Sequence, residues 1–95
     1  MAFAHIVTFK WREGFSAEPV VAALLDLAPT LDGVRQYLCG SDVGFLPGTY
    51  DTAVVGVFDS NEHFMDYRNH PEHQRILNEL IAPNLADKTT VQFEV

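Results

Sequence analysis

Cations are scarce in this chain, and that scarcity narrows its partners first. Six lysines and arginines stand against 13 aspartates and glutamates in 95 residues, for a formal net charge of −7. An acidic chain repels phosphate backbones and anionic lipid, which argues against nucleic acid and membrane as partners. The six cations are scattered and form no basic patch. Cysteine is rarer still. The one thiol, Cys39, cannot close an internal disulfide and fits a reducing compartment. It lies in a strand-like run without a local cationic setting, so it is expected to be a small buried hydrophobe and not a nucleophile. No apolar run has the length needed to cross a bilayer. The first ten residues lack the charged leader, apolar block and cleavage site of a signal peptide. The cytoplasm is the expected compartment. Repeats, linkers and low-complexity segments are also missing, so residues 1–95 are expected to form a single domain. With 47% hydrophobic and 20% charged residues the chain reads as globular. A domain this small buries a limited share of its surface, and pairing with a second copy would help it.

What is present is periodicity. Residues 2–11 alternate, with Phe3, His5, Val7, Phe9 and Trp11 on one face and Ala4, Ile6, Thr8 and Lys10 on the other. Period two with aromatic and β-branched residues predicts a strand, and two apolar faces predict cover on both sides. Ser16 is placed to cap a helix whose apolar positions are Val20, Val21, Leu24, Leu25, Leu27, Ala28 and Leu31, with Pro29 ending or kinking it. Strands are predicted over 34–43, 52–58 and 88–95, the 52–58 strand central and covered on both faces. Asp59-Ser60 offers a cap for a short helix from Asn61 to about Arg68, with Phe64 and Met65 inward. Pro71 is tolerated at a first helical position but not inside a helix, so a new helix starts there and runs to about Pro83.

The order strand, helix, strand, strand, helix pair, strand predicts an α+β, ferredoxin-like domain: a four-stranded antiparallel sheet with helices on one face. The other face, carrying Ala4, Ile6, Thr8 and part of the third strand, would be left as an apolar patch. A second copy related by a two-fold axis, sheet against sheet, is the expected cover.

The stretch hardest to explain by folding is Asp66-Tyr67-Arg68-Asn69-His70-Pro71-Glu72-His73. His70, preceding Pro71, is positioned to cap the new helix. His73 falls in its first turn, where the helix dipole disfavours imidazolium and leaves a neutral base, with Glu72 opposing that shift if close. If His5's face lies under the helices, His5 and the Tyr67–His73 segment line one pocket suited to proton transfer on a small carbonyl-containing or aromatic molecule. The same residues also have plainer readings. A histidine before proline serves as a cap, a buried tyrosine hydrogen-bonds backbone, and His5 alone reads as a core histidine. A metal site from His70, His73, His63, Asp66 and Glu72 is the other sharp alternative, but Pro71 breaks the one-helix geometry and no HExxH or CxxC pattern occurs. His63 is expected to face solvent, and Asp42 and Asp51 to be turn residues.

Three motifs, His5-x-Val7-x-Phe9-Lys10, Gly40-x-Asp42-Val43 and Tyr67-x-x-His70-Pro71-x-His73, together resemble the stress-responsive α/β-barrel (Dabb) family over nearly the whole chain. The resemblance implies a dimeric α/β barrel of ferredoxin-like subunits. The family includes olivetolic acid cyclase, a plant polyketide cyclase that works without a metal. By that resemblance His73 matches the catalytic base, Tyr67 the tyrosine that hydrogen-bonds and orients it, and His5 a pocket histidine. The chain departs from the cyclase on its first helix, where Val20, Val21, Leu24 and Leu25 stand and no tyrosine does.

The candidate site is therefore His73 and Tyr67 as catalytic residues and His5 and His70 as substrate-binding residues, with no metal and no cofactor. Haem and flavin lack support, since no phosphate-cradling glycine loop is present. Three functions compete. One is a cofactor-independent cyclase, lyase or isomerase acting on a small, polyketide-like carbonyl compound. The second is a binding protein for a small hydrophobic or aromatic ligand. The third is a stress-related structural homodimer. A cavity holding His73 and Tyr67 within hydrogen-bonding distance favours the first; a solid core with His73 in water excludes it.

Overall fold

A computed structural model describes all residues, 1–95. Its strands are β1 (Phe3–Trp11), β2 (Val34–Ser41), β3 (Thr52–Phe58) and β4 (Leu85–Glu94), and its helices are α1 (Glu18–Leu27), α2 (Asn61–Asn69) and α3 (Pro71–Arg75). All strand pairs are antiparallel and the sheet order is β2-β3-β1-β4, as the ferredoxin-like reading requires. Local chemistry sets the boundaries. The Ser60 hydroxyl caps α2 by accepting the His63 backbone N–H at 3.2 Å. His70, held extended by the following proline, ends α2. Its Nδ1 accepts the Glu72 N–H at 3.1 Å and so caps α3. The helical path then continues from Ile76 to Ile81 in widened, i to i+5 turns and closes in a tight turn at Ala82–Asn84.

The odd-numbered residues of β1 face the helices, and the core forms there. Val7, Phe9, Trp11 and Val54 from the sheet meet Val20, Leu24 and Leu27 of α1 and Ile76 and Ile81. Each such aliphatic side chain contributes about 1.5–3 kcal/mol when fully buried. The Trp11 indole N–H donates to the buried Thr52 hydroxyl at 2.9 Å. A second, aromatic cluster of Phe58, Phe64 and Tyr67 lies under α2. Cys39 is half-buried against the main core, and burial pushes its thiol up to about 11.

Several expectations shift. β2 ends at Ser41, and β4 begins at Leu85, earlier than the alternation beyond Lys88 indicates. Ala17, not Ser16, occupies the cap position of α1; the Ser16 hydroxyl lies 3.5 Å from the Glu18 N–H. Met65 is 44% exposed, because a helix presenting Phe64 and Tyr67 to the sheet turns the residue between them outward. His63 is only partly exposed to solvent. Its imidazole packs on Gly33, whose φ of 75° marks the turn before β2 and where any Cβ would strike the ring. β3 is central as expected, yet nothing in the chain covers its outer face. Asp42 and Asp51 do organise the loop: the Asp42 carboxylate accepts the Gly44 N–H and the Asp51 carboxylate accepts the Trp11 N–H.

Candidate functional site

The break at His70 turns α3 so that His73 points back toward the sheet, where it is 7% exposed. His73 Nδ1 lies 3.1 Å from the Arg68 carbonyl oxygen, which also accepts from the Gln74 amide at 2.6 Å. A carbonyl can only accept, so Nδ1 carries the proton and the Nε2 lone pair is free in the neutral ring. The imidazole's pKa is lowered. Burial is the first cause, the Arg68 hydrogen bond opposes it, and the charges of Arg68 and His70 add to it. The direction is the one expected from a helix N-terminus, but burial is what chiefly drives it. Glu72 takes no part, since its carboxylate pairs with Arg75 at 2.6 Å on the surface.

His73 forms part of the wall of a cavity of about 250 Å³ between the sheet and the helices. His5, Val7 and Phe9 of β1, Leu24, Phe64, Tyr67, Leu77 and Ile81 line it with His73. Arg68 and Lys88, Thr90 and Gln92 of β4 supply the polar side. His5 Nδ1 accepts the Gln92 amide N–H at 3.0 Å, leaving Nε2 to carry the proton. Burial, then the charges of His73, Lys88 and Arg68, pull the His5 pKa down to about 4. Both imidazoles are thus neutral near pH 7 and in opposite tautomers: His5 can donate and His73 can accept.

Tyr67 is 3% exposed and its ring centroid lies 4.2 Å from that of His73. The implied hydrogen bond between the two is not formed. The Tyr67 hydroxyl pairs instead with the Tyr37 hydroxyl at 2.7 Å, and the Arg68 carbonyl orients His73. Burial pushes the Tyr67 phenol up to about 12 and raises that of Tyr37 well above the ordinary range, so both are neutral. His70 is not brought to the cavity. It faces a separate surface recess with Ala23, Thr30 and Glu72, and its Nδ1 is occupied as a cap. No three His, Cys, Asp or Glu side chains converge in a metal-ligating group.

Three polar cavity residues escaped the sequence reading, Arg68, Lys88 and Gln92, as did Tyr37, the hydroxyl partner of Tyr67 behind the wall. Alternation on β4 groups Gln92 with Thr90 opposite Val91 and Phe93, and the pairing His5↔Gln92 in the sheet brings it to His5. Sequence spacing does not reveal that pairing. Tyr37 sits beside Gly56 in register, and that missing side chain makes room for the Phe58 ring between them.

The chain matches the Stress responsive A/B Barrel Domain (Dabb) family over residues 3–95. No curated protein matches it. Among solved structures it is similar to a dimeric ferredoxin-like protein of unknown function from Thermobifida fusca, 37% identical, with a TM-score of 0.90 over 100% of this chain and 92% of that one. A dimeric ferredoxin-like protein of unknown function from Jannaschia sp. CCS1 is 28% identical, with a TM-score of 0.79 and 100% of both chains covered. The hydroxynitrile lyase of Passiflora edulis is 16% identical, with a TM-score of 0.81 over 99% of this chain and 93% of that one; this likeness is one of fold. The chain belongs to the Dabb family.

Proposed function

We propose that this Dabb-family protein is a cofactor-independent enzyme of the cyclase, lyase or isomerase kind, with His73 as general base on a small carbonyl compound. The observation that carries the reading is the buried, neutral His73 whose Nδ1–H is held by the Arg68 carbonyl, so that its basic Nε2 is the free nitrogen in a cavity-lining ring. Nε2 takes a proton from the carbon next to the carbonyl, and the C–H electron pair moves to the carbonyl oxygen as an enolate. His5, through Nε2–H, donates a hydrogen bond to that oxygen. The enolate carbon then attacks a second carbonyl, is reprotonated by His73 at another position, or follows the reverse path with C–C cleavage. The Passiflora edulis protein is a hydroxynitrile lyase, so the fold accommodates lyase chemistry, by analogy only. The same reading includes a homodimer joined through the outer sheet face, where Leu38, Val91 and Phe93 are each more than half exposed. The Thermobifida fusca and Jannaschia relatives are dimeric.

The test follows solvent deuterium entering the α-carbon of an aryl β-ketoester by NMR. Wild type should accelerate exchange, and His73→Gln should lose about 10²–10⁴-fold of it. The rate should rise with pH below the ordinary histidine pKa, as the lowered His73 pKa requires, and level off near neutrality. Equal exchange by wild type and His73→Gln would sink the reading.

A further inference from the structure

The cavity reverses the charge of the molecule around it. The chain has more than twice as many acids as bases, yet no Asp or Glu lines the cavity, while Arg68 and Lys88 both do. They arrive from different elements, Arg68 near the end of α2 and Lys88 on the edge strand β4. Neither takes part in an ion pair. Arg35 pairs with Asp59, Arg75 pairs with Glu72 and Glu79, and Lys10 lies over the Tyr50 ring. The sixth cation, Arg12, lies outside the cavity. Both charges reach His5 across the cavity, adding to burial and His73 in disfavouring its protonation. Both side chains are exposed at the mouth of the cavity, and neither has a carboxylate partner although the chain has acids to spare.

We propose that the ligand supplies that counter-charge: the cavity takes an organic acid whose carboxylate is held by Arg68 and Lys88. The guanidinium fork donates two parallel hydrogen bonds to a carboxylate, and the ammonium adds a point charge. Val7, Phe9, Leu24 and Leu77 take the apolar remainder of the ligand. Arg68 then serves twice, since its carbonyl fixes His73 while its side chain anchors the acid. The reacting carbon is thereby set a short distance from the carboxylate. This deepens the proposed enzyme reading by naming its substrate class, but it concerns binding and holds without turnover.

Binding is measured by calorimetry for a matched pair of probes, 3-phenylpropionate and its neutral amide, 3-phenylpropanamide, on the full chain. The carboxylate should bind about tenfold tighter than the amide. Arg68→Gln with Lys88→Gln should bring the two within about twofold of one another. Lys10→Gln, which removes a cation outside the cavity, should keep the preference. Both substituted side chains are exposed, and the Arg68 carbonyl is retained, so the variants should fold; thermal melts check this. A carboxylate that binds no tighter than the amide, or not at all, overturns the proposal, as does a preference that survives the double substitution. His73→Gln separates the two readings: it should abolish exchange chemistry and leave the carboxylate preference intact.

Discussion

The hydroxyl pair between Tyr37 and Tyr67 offers the sharpest test of how the site is held. Tyr67→Phe removes one hydroxyl from a 2.7 Å pair and leaves the Tyr37 hydroxyl without its partner. Tyr37→Phe does the reverse, and its consequence is worse because Tyr67 is the deeper of the two, at 3% exposure. Leaving a buried polar group unpaired costs about 1–3 kcal/mol. Tyr37 is half-buried and keeps some access to water, so Tyr67→Phe should cost about 1–2 kcal/mol and Tyr37→Phe about 2. The double variant replaces both partners with apolar rings of the same shape and should cost under about 1 kcal/mol. The double-mutant cycle therefore predicts a coupling of about 2–3 kcal/mol, with the double variant more stable than the sum of its parts. In a domain of this length each kcal/mol moves Tm by about 4–8 °C. Urea unfolding at one fixed protein concentration is the assay, because dimerisation makes apparent stability depend on concentration. Additive costs would refute the pairing. A second readout separates the Arg68 carbonyl from Tyr67 as the group that orients His73. In Tyr67→Phe the His73 ring should remain protonated on Nδ1, as read from its ¹⁵N shifts. A switch of tautomer would assign the orienting role to the phenol after all.

Three further outcomes follow from the packing and charges. A methyl group at Gly56 would lie 2.8 Å from the Phe58 ring, which is fully buried. Gly56→Ala should therefore lose about 1–3 kcal/mol despite the gain in chain stiffness, read by the same urea assay; equal or greater stability would contradict the packing. His5 takes a proton near 6.5 when unfolded but only near 4 when folded, so acidification through that window favours the unfolded chain. The loss should be about 1–2 kcal/mol after allowance for its partial exposure, and His5→Gln should show a smaller drop in Tm between neutral and mildly acidic pH; an identical drop in both proteins would refute the assignment. Phe93→Glu places a charge on the outer sheet face and should convert a dimer into a monomer by sedimentation, whereas a wild type already monomeric at micromolar concentration would defeat the sheet-to-sheet reading.

Much of the fold was legible because short-range chemistry sets it. Alternation from Phe3 to Trp11 identified both the strand and the face that meets the helices, and Val7, Phe9 and Trp11 are buried on it. Pro71 located the start of α3, and Ser60 that of α2, since each supplies or removes a specific backbone partner. What escaped lay where several weak signals compete. Met65 and Phe64 are equally plausible inward residues by composition, and only the register of α2 on the sheet decides between them. The widened turns from Ile76 to Ile81 leave no mark on a hydrophobic pattern that suits an ordinary helix.

The site was legible in part for the same reason. His5, Tyr67 and His73 could be brought together because topology alone places β1 under the α2–α3 break. The interactions that give those residues chemical meaning are different in kind. The donor to His5 is Gln92, separated from it by nearly the whole chain and joined to it by strand register. The acceptor for His73 is a backbone carbonyl, a group every residue carries and no side-chain motif can single out. The partner of Tyr67 is Tyr37, across the sheet on β2. In each case the motif supplies the titratable ring, and an unremarked neighbour supplies its hydrogen-bond partner. The tautomer of His73 is set by where α2 ends, which depends on Pro71 forcing His70 out of the helix. A substitution at Pro71 that let α2 run on would shift the Arg68 carbonyl back into a helical hydrogen bond. His73 would then lose the acceptor that leaves its Nε2 free, with every residue of the histidine motif still in place.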